Sequence, residues 1–311
     1  IISAGVYKVE SEEMPVTAMS DRAELALNKA KEDSLQYCIY DDKMRSNLIK
    51  EQEIVNEFST ALKEQQFKMY LQPQYDIETG KIAGAEALAR WVHPTKGVVP
   101  PGEFIPVLEK NGLIPQLDRY IANEACSVSA LLRDTFSGAM PPSIAINLSR
   151  ADIFSPEFTA GLDRIRENYN LPPSALRIEI TESLYVEQPE FMSEFIDGLR
   201  NKGYRVEMDD FGSGYSSLNA LKDMNIDLLK LDMNFLSAVN TEKGAKIVKS
   251  VVYMARELDI PVLAEGIEKK EQVDFLKNIG CKYAQGYYYA RPMPVEDYIN
   301  LLMSRIYDRI K

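Results

Sequence analysis

The sequence has 311 residues, 45% apolar and 27% charged, enough for one large domain plus a smaller piece of ordinary globular character. Its formal net charge of −11 argues against non-specific binding of a DNA or RNA polymer, which needs a basic surface, yet leaves room for a small phosphate ligand where bound cations reverse the local field. His93 is the only histidine, and Cys38, Cys126 and Cys281 form no CxxC pair, which argues against a Ser-His-Asp triad, histidine-ligated zinc and a disulfide framework.

The chain opens on Ile1 and runs directly into a strand-like stretch, so it reads as a fragment of a longer protein. No run approaches the roughly 20 apolar residues of a membrane-spanning helix, and no secretory leader is visible. With the sparse cysteines, this leads us to expect a cytoplasmic fragment without membrane contact, whose parent could be membrane-anchored upstream.

Residues 1–44 read as strand (Gly5 to Val9), helix (Pro15 to Glu32) and strand (Gln36 to Tyr40). Lys43 to Gln66 is amphipathic, with Ile54, Val55, Phe58 and Leu62 on one face, and suits either a connecting helix or one packed on the following domain. From Phe67 onward, β-rich runs alternate with helical patterns. The predicted strands are Lys68–Gln72, Ala83–Arg90, Ser143–Asn147, Leu176–Ile180, Tyr204–Met208, Leu228–Leu231, Pro261–Ala264 and Tyr283–Gln285. Helices are expected between most of them. Examples are Glu190–Asn201, with Phe191, Phe195 and Leu199 on one face, and Lys246–Leu258, with Ile247, Val251 and Ala255. Gly203 and Gly280 stand where helix C-caps precede the next strand.

This alternation over roughly 240 residues points to an α/β fold, a (β/α)8 TIM-type barrel with a small α+β amino-terminal fragment and a connecting helix. An open doubly wound sheet is the alternative, but no glycine-rich phosphate loop follows the first strand. The expected domains are 1–44, a linker helix at 45–66, and the barrel at 67–305.

In such barrels the carboxyl ends of the strands build the active site. Here those ends carry Glu86, Asn147, Glu179, Asp209-Asp210, Lys230-Leu231-Asp232, Glu265 and Gln285. Each has a structural explanation when taken alone: a helix N-cap for the Asp pair, a salt bridge for Glu179, a barrel ion pair for Lys230, backbone satisfaction for Asn147. Their common phase along the strands is the informative feature. Five converging carboxylates repel one another unless cations intervene, and hard oxygen donors select Mg²⁺ or Mn²⁺ over softer metals. Two ions about 3.5–4 Å apart would suit in-line attack on a phosphodiester.

The ordered set Glu86-Ala87-Leu88-Ala89-Arg90, Asn147-Leu148-Ser149, Glu179-Ile180-Thr181-Glu182, Asp209-Asp210-Phe211-Gly212, Lys230-Leu231-Asp232, Glu265-Gly266-Ile267-Glu268 and Gln285-Gly286 resembles the EAL phosphodiesterase family from about Phe67 to Leu302. The resemblance implies a barrel that hydrolyses c-di-GMP to linear pGpG with two Mg²⁺ or Mn²⁺ ions, Ca²⁺ being inhibitory, and a homodimer formed through this domain. It implies Glu86, Asn147, Glu179 and Asp209 as ligands of the first ion, Asp210 for a second, and Glu265 for the ions and their water network. Lys230 would orient or deprotonate the attacking water, its pKa pulled down by the ions and by burial. Gln285 would bond near the nucleophile. Gln72, Leu88, Arg90, Asp232 and Glu268 match substrate-binding positions, and Glu182 the residue that steadies the loop Phe211 to Leu218. Tyr287, Tyr288 and Tyr289 could stack on guanine, although core packing explains them better, and His93 reads as structural.

Ser3-Ala4-Gly5-Val6-Tyr7 and Ala23 to Lys31 resemble the tail of a GGDEF domain. Asn28 replaces a usual tyrosine, Asp33-Ser34 replaces a glycine-containing pair, and no Gly-Gly-Asp/Glu-Glu-Phe run occurs. A tandem GGDEF–EAL parent is therefore expected. The competing functional readings are a catalytically silent c-di-GMP receptor and a protein-interaction barrel.

Overall fold

The computed structural model describes residues 2–9, 14–136, 141–212, 224–232 and 241–310. The chain divides into two units, Ile1–Glu64 with Gly102–Asn111, and Gln65–Pro101 with Gly112–Lys311.

In the first unit, β1 (Ala4–Val6) pairs in parallel with β2 (Tyr37–Ile39). A parallel pair needs a long crossover, which α1 (Val16–Glu32) supplies while burying Ala26 and Ala30. A Cβ on Gly5 would come within 1.9 Å of the Ala23 carbonyl oxygen, so the helix packs against bare backbone there. The amphipathic stretch forms α2 (Asp42–Lys63), whose N-cap Asp41 accepts from the Lys43 N–H and whose buried face carries Ile54, Phe58 and Ala61. Lys110, at the end of α3 (Pro101–Lys110), pairs with Glu32 at 2.7 Å and Glu51 at 3.3 Å.

The second unit begins with β3 (Phe67–Asp76), β4 (Ile82–His93), β5 (Gly97–Val99) and α4 (Ile114–Thr135). It continues through β6 (Ser143–Asn147), α5 (Arg150–Ile153), α6 (Phe158–Asn168), β7 (Leu176–Thr181), α7 (Glu182–Glu187), α8 (Pro189–Asn201) and β8 (Arg205–Phe211). Then come β9 (Leu228–Leu231), a helix at Glu242–Glu257, β10 (Val262–Ala264), a helix at Lys270–Asn278, β11 (Tyr283–Ala284), β12 (Met293–Pro294) and a helix at Val295–Ile310. Among the described residues, eight strands close in the order β3-β4-β6-β7-β8-β9-β10-β11 and back to β3, giving the expected TIM-type barrel. All eight predicted strands lie where the sequence places them. Gly203 and Gly280 take the positive φ of 93° and 81° that a C-cap uses.

One strand departs from the ideal. β3 runs antiparallel to both neighbours, β4 and β11. The reason is local: only Ile77 to Lys81 separate β3 from β4, too few for a crossover helix. Instead the chain turns tightly, with Asp76 Oδ1 accepting from Thr79 N–H at 2.7 Å and Gly80 at φ 64°. Gln72 therefore lies beside Glu86 in mid-strand instead of at a carboxyl end.

Strand side chains alternate between two faces. Ile144 and Ile146, Ile178 and Ile180, Val206 and Met208, and Leu229 and Leu231 are all buried, and each set alternates with the polar positions of the same strand. Helical residues such as Met192, Ile196 and Leu199 of α8 and Val248, Val251 and Val252 of Glu242–Glu257 are buried against the sheet side of their helices. Among the described residues, no helix is long and apolar enough to cross a membrane.

Candidate active site

The parallel register brings the polar positions level. Asn147 of β6 lies opposite Glu179 of β7, and Thr181 opposite Asp209 of β8. Glu265 follows β10 directly, with its N–H donating to the Leu231 carbonyl, and Gln285 follows β11, with its N–H donating to Ala264. A Cβ on Gly286 would lie 2.2 Å from the Ile267 nitrogen, so only glycine lets these two segments pass this closely.

At the centre is Lys230, fully buried. Its Nζ lies 2.7 Å from Glu179 Oε1, 2.9 Å from Glu265 Oε1, 3.1 Å from Asp209 Oδ1 and 3.7 Å from Glu86 Oε2. Gln285 Nε2 donates to Glu86 Oε2 and, at 3.1 Å, to Gln72 Oε1, while Asn147 Nδ2 donates to Glu86 Oε1 at 3.3 Å. Gln72 Nε2 in turn donates to the Ala290 carbonyl at 3.2 Å. Glu86, Asn147, Glu179, Asp209, Lys230, Glu265, Gln285 and Gln72 thus form one connected constellation.

Two consecutive residues of a regular strand cannot face the same side. At Asp209-Asp210 the β8–β9 register shifts between Met208 and Phe211, and Asp210 takes φ 58° with its N–H on Asp209 Oδ1 at 2.9 Å. This bulge is what gives both carboxylates a share of one site. Glu182, buried at the start of α7, accepts from the Gly212 N–H at 3.1 Å and so holds the beginning of the segment after Asp210. Ser213 to Leu218, the remainder of the expected loop, lie outside the described residues.

Of the expected substrate positions, Leu88 and Arg90 share the strand face of Glu86, one and two steps along β4. Arg90 lies 5.9 Å from the Tyr70 ring centroid and donates to the Ala89 carbonyl. Asp232 is half-buried just after β9, close enough to raise the Asp210 carboxyl. Glu268 is exposed, its backbone N–H donating to Gln272 Oε1 at the start of the next helix, and among the described residues it is not joined to the carboxylate cluster. Core packing does not account for the tyrosine run as expected. Tyr289 stacks on Tyr75 at 4.7 Å, but Tyr287 and Tyr288 are exposed, and the Arg291 guanidinium lies 4.1 Å from the Tyr287 ring. His93 Nδ1 accepts from the Thr95 and Lys96 N–H groups, a turn-forming role.

Before any ion binds, the electrostatics of the site are set by burial and by the charges of the cluster itself. Burial alone pulls the Lys230 pKa down, but Glu179, Glu265, Glu86 and Asp209 together push it well above the ordinary lysine value. Burial is also the largest influence on the carboxyls. It raises Glu179 well above the usual range against the opposing pull of Lys230, and it lifts Glu265 to about 8. Asp210 is raised by burial, then by Asp209 and Asp232.

Four carboxylates share one ammonium, and among the described residues the buried Glu179 Oε2 has no hydrogen-bond partner. That donor set and charge deficit suit a hard divalent cation. Among the described residues, no three acidic, histidine or cysteine side chains are pre-arranged around one ion, and the Lys230 ammonium stands where the carboxylates converge.

Sequence reasoning missed a second polar layer beneath the first. Arg177 and Glu207 are buried and paired at 2.7 Å, with Gln74 also bonded to Arg177. The signal was present: Arg177, Glu207 and Gln74 each lie two residues from Glu179, Asp209 and Gln72, and hence on the same strand face.

The EAL-domain family profile matches residues 55–292. The chain is 33% identical over 276 residues to MucR of Pseudomonas aeruginosa, described as a bifunctional diguanylate cyclase/cyclic di-GMP phosphodiesterase, covering 88% of this chain and 40% of MucR. It is 34% identical over 236 residues to the cyclic di-GMP phosphodiesterase RocR of the same organism, covering 76% of this chain and 59% of RocR. The solved structure of the PaMucR phosphodiesterase in complex with c-di-GMP superposes with a TM-score of 0.74 at 33% identity, covering 79% of this chain and 99% of that one. The chain spans 40% of the length of MucR and 59% of that of RocR, under two thirds of either. With its barrel, its strand-end carboxylates and this match over most of its length, the chain belongs to the EAL-domain family.

Proposed function

We propose that this barrel hydrolyses c-di-GMP to linear pGpG with Mg²⁺ or Mn²⁺, the lines of support being its strand-end chemistry and its named relatives. The observation that carries the reading is the set of four carboxylates, three of them buried, gathered on the buried Lys230. In the reaction the water oxygen bonds to phosphorus, one P–O3′ bond breaks, and the leaving oxygen takes up a proton.

Glu86, Asn147, Glu179, Asp209, Asp210 and Glu265 are the residues that would hold the ions. Bound divalent ions supply charge neutralisation on the phosphoryl oxygens and acidify water. Lys230, beside Glu179, Asp209 and Glu265, would orient or deprotonate the attacking water. Before any ion binds, burial lifts Glu265 to about 8, so taking up an ion near neutral pH would displace its proton. Gln285 fixes Glu86 and Gln72 by donating to both. Leu88, Arg90, Asp232, Glu268 and the exposed Tyr287 and Tyr288 stand as substrate contacts, tyrosine faces being suited to stacking on guanine.

Residues 1–44 are read as the tail of a GGDEF-like domain, with 45–66 as a linker and 67–305 as the catalytic domain. A cytoplasmic homodimer, inhibited by Ca²⁺, completes the reading. The test is chromatographic detection of pGpG from c-di-GMP with Mg²⁺ or Mn²⁺, with Glu86→Ala and EDTA as controls. Product lost in both controls supports the enzyme. Ligand binding without product would assign a receptor, and absence of both would leave an interaction barrel.

A further inference from the structure

The Arg177 guanidinium lies in the barrel lumen directly below the carboxylate cluster. Its Nη1 donates to Glu207 Oε1 at 2.7 Å, and its Nη2 donates to Gln74 Oε1 at 2.5 Å and to the Ala85 and Ser143 carbonyls at 3.3 Å each. One side chain of β7 is therefore bonded to β3, β4, β6 and β8, which makes five strands of the barrel with its own. Room for it comes from Gly84, where a Cβ would lie 2.3 Å from Nη2.

Three of these partners lie one or two residues from members of the constellation around Lys230. Ala85 precedes Glu86, Gln74 follows Gln72, and Glu207 precedes Asp209 by one pleat. A buried ion pair is weak evidence of stabilisation, because well-packed apolar residues of the same volume usually serve as well or better. A registering role explains why a charged pair stands here. We propose that Arg177, through Glu207 and Gln74, is a positioning residue that fixes the relative heights of Glu86, Glu179 and Asp209 so that they can take up a divalent ion. This rests on the metal-dependent reading above.

The test compares direct Mn²⁺ uptake, read by electron paramagnetic resonance of free Mn²⁺, with thermal stability in EDTA. The proteins are wild type, Arg177→Met/Glu207→Leu, Arg177→Lys and Gln74→Met, with Val252→Ala in the outer helix as a control for destabilisation alone. The double variant removes both charges together, so no buried carboxylate is left unpaired. Arg177→Lys keeps the charge but not the fork, and Gln74→Met cuts only the tie to β3. The expected result is Mn²⁺ affinity weakened roughly tenfold or more in the double variant, and less in Gln74→Met, with its melting temperature held or raised. In turnover the half-saturating Mn²⁺ should rise while the KM for c-di-GMP stays fixed, a split that Val252→Ala should not show. Wild-type Mn²⁺ affinity in any folded Arg177 variant overturns the proposal. If wild-type protein takes up no Mn²⁺, the proposed function falls and this inference with it.

Discussion

Titrating metal-free protein with Mn²⁺ should release protons, and Glu265 should contribute a measurable share of them. Its carboxyl is lifted to about 8 by burial and by the nearby Asp209 and Glu86 charges, with Lys230 pulling the other way. At pH 7 a group with that pKa is ~90% protonated, and at pH 9 only ~10%. Cation ligation requires the ionised oxygen, so Glu265 alone should give up ~0.9 proton at pH 7 and ~0.1 at pH 9. Glu179 is raised too and adds to the total. The diagnostic quantity is therefore the difference between wild type and Glu265→Gln, read by calorimetry in two buffers of unlike ionisation enthalpy. The same group shapes stability. Its folded pKa lies above the unfolded value, so the folded state binds the extra proton and stability falls as pH rises from about 4.5 to about 8, then levels off. The integrated loss is up to about 5 kcal/mol, and Mn²⁺ should flatten the slope by taking the proton's place. Equal proton release from wild type and Glu265→Gln at pH 7 would refute the reasoning.

Lys230→Met leaves four carboxylates without their shared cation and should lower stability by about 3–5 kcal/mol at pH 8. Denaturant titrations should show the deficit shrinking toward pH 5 as Glu179 and Glu265, the two raised carboxyls, protonate, and a deficit independent of pH would count against the charge argument. Gly286→Ala forces a Cβ to within 2.2 Å of the Ile267 nitrogen and should cost at least about 1 kcal/mol, read as a lowered melting temperature. Glu179→Gln mimics the protonated acid that burial favours, so in EDTA at pH 8 it should melt higher than wild type while losing Mn²⁺ uptake. A lower melting temperature would show that its pairing with Lys230 outweighs burial.

How much of this was legible beforehand follows from what period-two patterning can carry. Glu86, Asn147, Glu179 and Lys230 stand out because each interrupts a run of apolar strand residues, and the barrel brings such interruptions together. The direction of β3 was also written in the short Ile77-Glu78-Thr79-Gly80-Lys81 link, but a template of strand followed by helix hides it. Asp210 was harder. Two adjacent acids cannot both face the lumen of a regular strand, and the bulge that allows it depends on pairing between β8 and β9 that no local pattern encodes. How closely the carboxylates gather on Lys230 was beyond reach for another reason: that four of them come within 4 Å is a property of packing rather than of neighbours along the chain.

The two faces of the strands also separate what holds the fold from what does the chemistry. Ile144, Ile146, Ile178, Ile180, Val206, Met208, Leu229 and Leu231 are buried on one face, while carboxylates, amides, Lys230 and Arg177 occupy the other. Apolar burial scales with area removed from water and is indifferent to what lies across the sheet. Such a barrel can therefore tolerate a lumen with more negative than positive charge, or lose several of those carboxylates, and still close. That is why likeness of fold says little about catalysis in this family, and why the case for activity rests on Glu86, Asn147, Glu179, Asp209, Lys230 and Glu265 standing together at one end of the barrel.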